Sequence, residues 1–432
     1  MASGGSVTGR AGFAAIDPPR ASPRRSSHNE IAWWLLVLSL AAAHLGVWVG
    51  NAGAVGLLGA WVLYTVLWPM RAARALMTSA WPWLFPAFAV ASTLWSVQPG
   101  LSFRQGLELV AFTGVGTLIG GALSPRRIAS GFLVAMLIVA VGGLADGGQT
   151  AVQHAGSMAA TGGLGSKNTF AAVGGMLLLA AACCAADAGQ DRAARWLGAA
   201  CVPFGMAILI VARSTGATGA TAGALVLAVG LAAAARVRPP WRGAVLALAA
   251  LLAVAALGWA LGAGASIGWD RLLADIGKDS GLSGRAFLWQ RAAELIGERP
   301  LLGIGYQAFW VQDTPDAEGL WRAAGIASRY GFHFHNLYYE AAVELGLLGV
   351  TLLAATMIAT AIRVLYWGFT VDLMPACFFI ALLAVFVLRS YSELDFVFPI
   401  ADGTVALPMI FIVAARGVMR RSSSSSSSSP SR

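Results

Sequence analysis

A succession of apolar runs, each near the length that crosses a bilayer, decides what this chain can fold into. They fall at roughly 31–50, 52–70, 80–98, 101–123, 128–145, 169–187, 196–212, 217–235, 243–265, 337–362, 373–390 and 397–415. A hydrocarbon core about 30 Å thick takes about 20 apolar residues of helix. Inside it each backbone N–H and C=O must be satisfied within the structure itself, which leaves helices for runs of this kind. Charged residues are 11% of the chain and hydrophobic ones 58%, against about 25% charged in soluble domains. The expected fold is an all-α polytopic membrane protein of about twelve transmembrane helices.

Charge gives the orientation. The net +9 is carried almost wholly by Arg, the lysines being Lys167 and Lys278. With the N-terminus inside, the cytoplasmic connections hold Arg71 and Arg74, Arg126 and Arg127, Arg192 and Arg195, Arg236, Arg238 and Arg242, and Arg363. Arg416, Arg420 and Arg421 follow the last span. Cytoplasmic loops collect Lys and Arg, so the basic charge reports topology, and no nucleic-acid motif accompanies it. Residues 1–30 read as a disordered cytoplasmic tail and 416–432 as a Ser-rich cytoplasmic tail. Between them lie spans over 31–265, a long periplasmic loop over 266–336, and spans over 337–415. Cys183, Cys184, Cys201 and Cys377 all sit in apolar runs and read as small core residues rather than a disulfide framework.

The loop is the long polar interruption, and it holds the chemistry. Ser283 is placed to cap a helix over 284–299, which Pro300 ends and a Gly-Ile-Gly turn at Gly303–Gly305 follows. Arg285 falls in the first turn, where a cation opposes the helix dipole. A bound anion reverses that sign, since free N–H groups and the guanidinium then act together; pairing with Asp279 is the plainer alternative. Arg291 and Arg299 have Glu294 and Glu298 beside them and read as ion-paired surface. At the loop's far end Asn336 is expected to cap the next helix, placing His335 at a second helix N-terminus, which favours a neutral imidazole suited to a general base. His333 and His335 form a His-x-His pair, but no third ligand stands near them in sequence, so no metal is expected. Glu340 and Glu344 share a helix face with Asn336, and a carboxylate that deep calls for a cation such as Arg213 or Arg389.

Four cations run against the inside-positive bias at outer span ends: Arg104, Lys167, Arg213 and Arg389. Each alone is explained by snorkelling toward headgroups; together they can converge on an anion.

At these residues the chain resembles the O-antigen ligase and polysaccharide polymerase superfamily of bacterial membrane glycosyltransferases. The features are Leu94-Trp95-Ser96 with Pro99 and Ser102, Lys167-Asn168, and Arg213-Ser214. The most specific are Ser283-Gly284-Arg285 with Trp289, Pro300–Gly305, and His335-Asn336 with Glu344–Gly349. The resemblance implies transfer of an undecaprenyl-diphosphate-linked glycan at the periplasmic face to a growing polysaccharide, or to lipid A core, without a metal or other cofactor. It gives Arg285 and Arg213 the diphosphate, with Lys167 a further candidate, and His335 the acceptor hydroxyl or a further diphosphate contact. The segment after Arg213 is Ser-Thr-Gly-Ala-Thr-Gly, lacking the second Arg of many relatives, which turns attention to Arg322 and Arg329. Flippase and chain-length proteins of the same pathway are the implied partners. Two other classes stay open: a carrier of a small anion such as bicarbonate, and a metal-dependent phosphosugar transferase. A carrier calls for interrupted helices with midplane polar groups; the transferase calls for acidic metal ligands in the first outer loop, and Glu393-x-Asp395 is the acidic pair found at an outer loop.

Overall fold

The computed structural model describes residues 27–45, 50–152, 157–237, 241, 285–329, 332–396 and 398–426. The expected span over 243–265, the Ser283 cap and most of both tails lie outside them. Within them the chain is almost wholly helical: α1 Ser27–His44, α2 Ala52–Leu67, α3 Pro69–Leu76, α4 Leu84–Ala91, α5 Pro99–Ala122, α6 Pro125–Asp146, α7 Lys167–Ala186, α8 Arg192–Ala212 and α9 Thr215–Arg236. A short antiparallel hairpin, Gln149–Val152 against Ser157–Ala160, precedes α7. Then come α10 Arg285–Glu298, α11 Pro315–Ala323, α12 Leu337–Thr370, α13 Leu373–Arg389 and α14 Asp402–Ser426.

Among the described residues, six helices are long and apolar enough to cross a membrane: α6, α7, α8, α9, α12 and the first part of α14. α13 is apolar but shorter. Two runs depart from continuous spans, and proline explains the first. α2 turns by 115° into α3 at Trp68, which leaves the α region (φ −135°, ψ 63°) because it precedes Pro69. The run expected over 80–98 breaks into a 3₁₀ turn at Trp81–Trp83, α4, and a second 3₁₀ turn at Ser92–Leu94.

Small residues let the helices close up. Side chains at Gly116 and Gly120 of α5 would run into the carbonyls of Val405 and Met409 on α14, the kind of backbone approach that holds helices together where lipid removes the hydrophobic drive.

α12 is interrupted. Gly346 has φ 65° and ψ −172° inside it, a conformation that an L side chain resists. The break frees carbonyls and N–H groups, and the segment after α10 takes them up. Ile304 and Gly305 donate to the carbonyls of Val343 (3.1 Å) and Glu344 (2.8 Å), while Leu347 and Leu348 donate to those of Pro300 (2.8 Å) and Leu301 (3.2 Å). The stretch before α5 locks the same segment from the other side. Val97 N–H bonds Ile304 C=O at 2.9 Å, the Trp95 indole donates to Leu302 C=O at 2.9 Å, and Ser102 Oγ donates to Tyr306 C=O at 2.7 Å. Side chains at Gly303 and Gly305 would meet Glu344 and Ser96. Trp95-Ser96, Pro300–Gly305 and Glu344–Gly349 are thus one interlock that fixes the strand leaving α10.

Candidate functional site

Five pieces of chain meet at the bundle end where α7, α9 and α12 begin. Asn168, in the first turn of α7, donates to Glu393 Oε1 at 2.9 Å and accepts at its Oδ1 from Ser214 Oγ at 2.8 Å. Lys167 and Arg213 are the chain neighbours of these two. Arg213 closes α8 in the left-handed region, φ 49°, which turns the chain sharply into Ser214. Asn336 caps α12 as expected, accepting from the N–H groups of Tyr338 (3.0 Å) and Tyr339 (3.2 Å). The loop after α13 is tied to the same point: Leu337 N–H bonds Ser390 C=O at 2.9 Å and the Asn336 amide bonds Tyr391 C=O at 3.3 Å. α10, whose last residue Glu298 lies next to its expected end, is held by Trp289. Its indole donates to Phe334 C=O at 2.9 Å, and its ring stacks on Tyr339 with centroids 5.8 Å apart.

These ties bring Arg285, His333, His335 and Glu393 together. His335 sits at φ 53°; its N–H bonds His333 Nδ1 at 3.0 Å, and the two rings are 4.1 Å apart. Burial, helped by Arg285, lowers the His335 imidazole to about 4. Burial, then His335 and Arg285, takes His333 well below the ordinary range. Both rings are therefore neutral near pH 7, and His335 Nδ1 is buried without a hydrogen-bond partner among the described residues. Burial raises Glu393, opposed by Arg389, Arg285 and the Asn168 hydrogen bond. Arg285 is pushed down by burial and supported by Glu393, yet no carboxylate among the described residues pairs with it within 4 Å. A half-buried guanidinium, two neutral imidazoles and one carboxylate form a site that gains when an anion enters.

His333, His335 and Glu393 also place one ligand-capable atom each within 4.8 Å of the others. The sequence shows no third ligand beside the His pair; the fold supplies Glu393, so these three are able to hold a metal ion. Arg285 stands against a cation there, since a like charge beside the ligands disfavours it.

Other residues singled out in the sequence have partners of their own, Arg389 among them although it stays within electrostatic reach of Glu393. Arg329 pairs with Glu318 at 2.9 Å, and Arg322 Nε donates to Glu318 C=O at 3.2 Å. Arg389 pairs with Asp395 at 3.3 Å, both buried, and Arg104 reaches Glu108 at 3.8 Å. Arg291 pairs with Glu294 and Asp316. Glu340 differs from expectation. It is fully buried, but its partners are the Trp310 indole at 2.7 Å and the Phe334 N–H at 2.8 Å, with no guanidinium within pairing distance among the described residues. Uncharged donors are enough because both oxygens are satisfied, and the carboxylate thereby holds the His333–His335 turn from behind. Glu393 is the site residue that sequence reading left out; its one local signal was the acidic pair with Asp395.

Residues 204–354, from within α8 through Arg213, Arg285 and His335 into α12, match the family described as O-antigen ligase. The chain is also 29% identical over 395 residues, 90% of its own length and 89% of the relative's, to the exopolysaccharide production protein ExoQ of Rhizobium meliloti (strain 1021). The resemblance is to the O-antigen ligase and polysaccharide polymerase superfamily. Both likenesses are to proteins of the ligase or polysaccharide-production type, and they do not favour the carrier.

Proposed function

We propose that this protein polymerises an exopolysaccharide or O-unit chain by transferring glycan from an undecaprenyl diphosphate carrier at the periplasmic face. The observation that carries this reading is the meeting of Arg285 and His335 with Asn168, Ser214 and Glu393, next to Lys167 and Arg213. In the proposed reaction the acceptor hydroxyl oxygen attacks the anomeric carbon as the bond from that carbon to the diphosphate oxygen breaks. The hydroxyl proton passes to the neutral His335 ring, and the leaving diphosphate takes the bonding electron pair. Negative charge grows on the leaving oxygen, and fixed guanidinium donors in a partly dry site stabilise such charge strongly. Arg285, Arg213 and Lys167 are assigned that work. Attack from the face opposite the leaving group inverts the anomeric centre. The reaction runs without a metal, because the cations that a metal would replace are already side chains.

Likeness to an exopolysaccharide production protein favours polymerase. The family's description as O-antigen ligase keeps one alternative, transfer to lipid A core. Deleting the gene and characterising lipid-linked intermediates separates them: accumulated single repeat units mean polymerase, and full-length lipid-linked chains that never reach lipid A mean ligase. Unchanged glycans with altered solute uptake would reject both.

A further inference from the structure

At the opposite end of the bundle, where α5 ends and the expected cytoplasmic face lies, a cavity of about 610 Å³ opens beneath α3. Arg71, Arg74 and Arg416 line it with His28, Tyr64 and Thr78, and no Asp or Glu is among its lining residues. The geometry that makes it is local. Pro69 turns α3 by 115° from α2, and Arg71 and Arg74, three residues apart, then project from one side of it. α3 can lie against α5 because a side chain at Gly121 would collide with Ala75. Arg71 donates to His28 Nδ1 at 3.3 Å, and His28 Nε2 meets the Tyr64 hydroxyl at 3.1 Å. Arg71 and Arg416 both lie within electrostatic reach of that hydroxyl, and Arg416 is anchored by donating to Gly120 C=O at 2.7 Å.

Arg71 and Arg74 on one side of α3, with Arg416 opposite, gather positive charge at one cavity whose described lining residues include no carboxylate, and a multivalent anion is attracted to such a cluster. We infer that this cavity binds a phosphate-bearing anion, supplied by an anionic phospholipid headgroup or by free phosphate. The setting favours the lipid. α3 carries exposed Met70 at its start and is followed by exposed Met77, as befits a short helix along a membrane surface, and basic pockets on that side are where anionic headgroups are held. The site is remote from the glycan chemistry and independent of it.

The test uses the full-length protein in uncharged detergent, with thermal unfolding and native mass spectrometry as readouts. Phosphatidylglycerol, phosphatidylcholine and inorganic phosphate are titrated separately against wild type, Arg74→Gln, and Arg71→Gln with Arg74→Gln. The Arg74 side chain makes no hydrogen bond or ion pair with the described residues, and the carbonyl that accepts from Thr78 Oγ1 at 2.8 Å is kept in Arg74→Gln, so the replacement is expected to leave the fold intact. The expected result is protection by phosphatidylglycerol over phosphatidylcholine, with affinity falling about fivefold per arginine removed. Protection by phosphate that disappears in the variants supports the site and assigns it to the free ion. Equal protection by phosphatidylcholine, no protection by either phosphate source, or protection unchanged in the double variant would overturn it.

Discussion

Asn168 donates to Glu393 at 2.9 Å across 225 positions of sequence. That bond joins the first turn of α7 to the loop after α13, and Ser214 extends it to α9. It sets the Glu393 carboxylate between a cation and two imidazoles. Replacing Asn168 by Ala removes the donor and leaves a half-buried carboxylate to seek Arg285. Polymer formation should then fall by about tenfold to a hundredfold, while Asn168→Gln retains part of it. Activity equal to wild type in Asn168→Ala would deny the bond a role.

Arg285 is expected to tolerate neither Ala nor Lys. Ala removes a donor from the developing charge, a loss on the order of a hundredfold to a thousandfold in rate. Lys keeps the charge but not the planar fork that grips phosphate with two parallel bonds. Rates in membranes supplied with lipid-linked donor are the measurement, with protein level checked by immunoblot. Full rescue by Lys would show that point charge alone suffices.

The pH dependence follows from His335. Its imidazole is lowered from 6.5 to about 4 by burial and Arg285, so the basic form persists through the range where an ordinary histidine protonates. Activity of the free enzyme should therefore stay level between about pH 5.5 and 7.5 and fall only toward pH 4. Stability moves the same way: as pH drops below 6.5 the unfolded chain takes up a proton that the folded site refuses, so stability declines until the folded group titrates near 4. Side-chain NMR of labelled histidine against a His335→Gln control reports the titration, and a midpoint near 6.5 would contradict the burial.

Gly346→Ala should cost the protein its fold. A left-handed φ costs an L residue about 1–2 kcal/mol, and the added carbon would collide with the Leu301 carbonyl. The four hydrogen bonds that stitch the break would be displaced together. Detergent-solubilised yield and melting temperature measure this, with Gly297→Ala, where an added carbon meets nothing within 4 Å, as the tolerated control.

Chelation separates two uses of the histidine pair. Activity is expected to survive EDTA, whereas added Zn²⁺ should inhibit by occupying His333, His335 and Glu393 in competition with the donor. His333→Gln should relieve the inhibition. A strict requirement for a divalent ion would remove the metal-free scheme.

Much of this was legible in sequence because it is local. The all-α membrane class follows from run length. The cap at Asn336 and the end of α10 before Pro300 follow from residues within a few positions of one another. The bend before Pro69 is equally local, since proline acts on the residue before it; a search for apolar length alone passes over it. Other features were decided only by tertiary structure. Glu340 found an indole and a backbone N–H in place of a guanidinium, Arg389 found Asp395, and Glu393 joined the site through Asn168. The Pro300–Gly305 segment became the filling of a break in α12. Each is a pairing between segments far apart in sequence. Side-chain type states what partner a buried group needs, and only the packed bundle selects which of several distant candidates is within 3 Å to meet it.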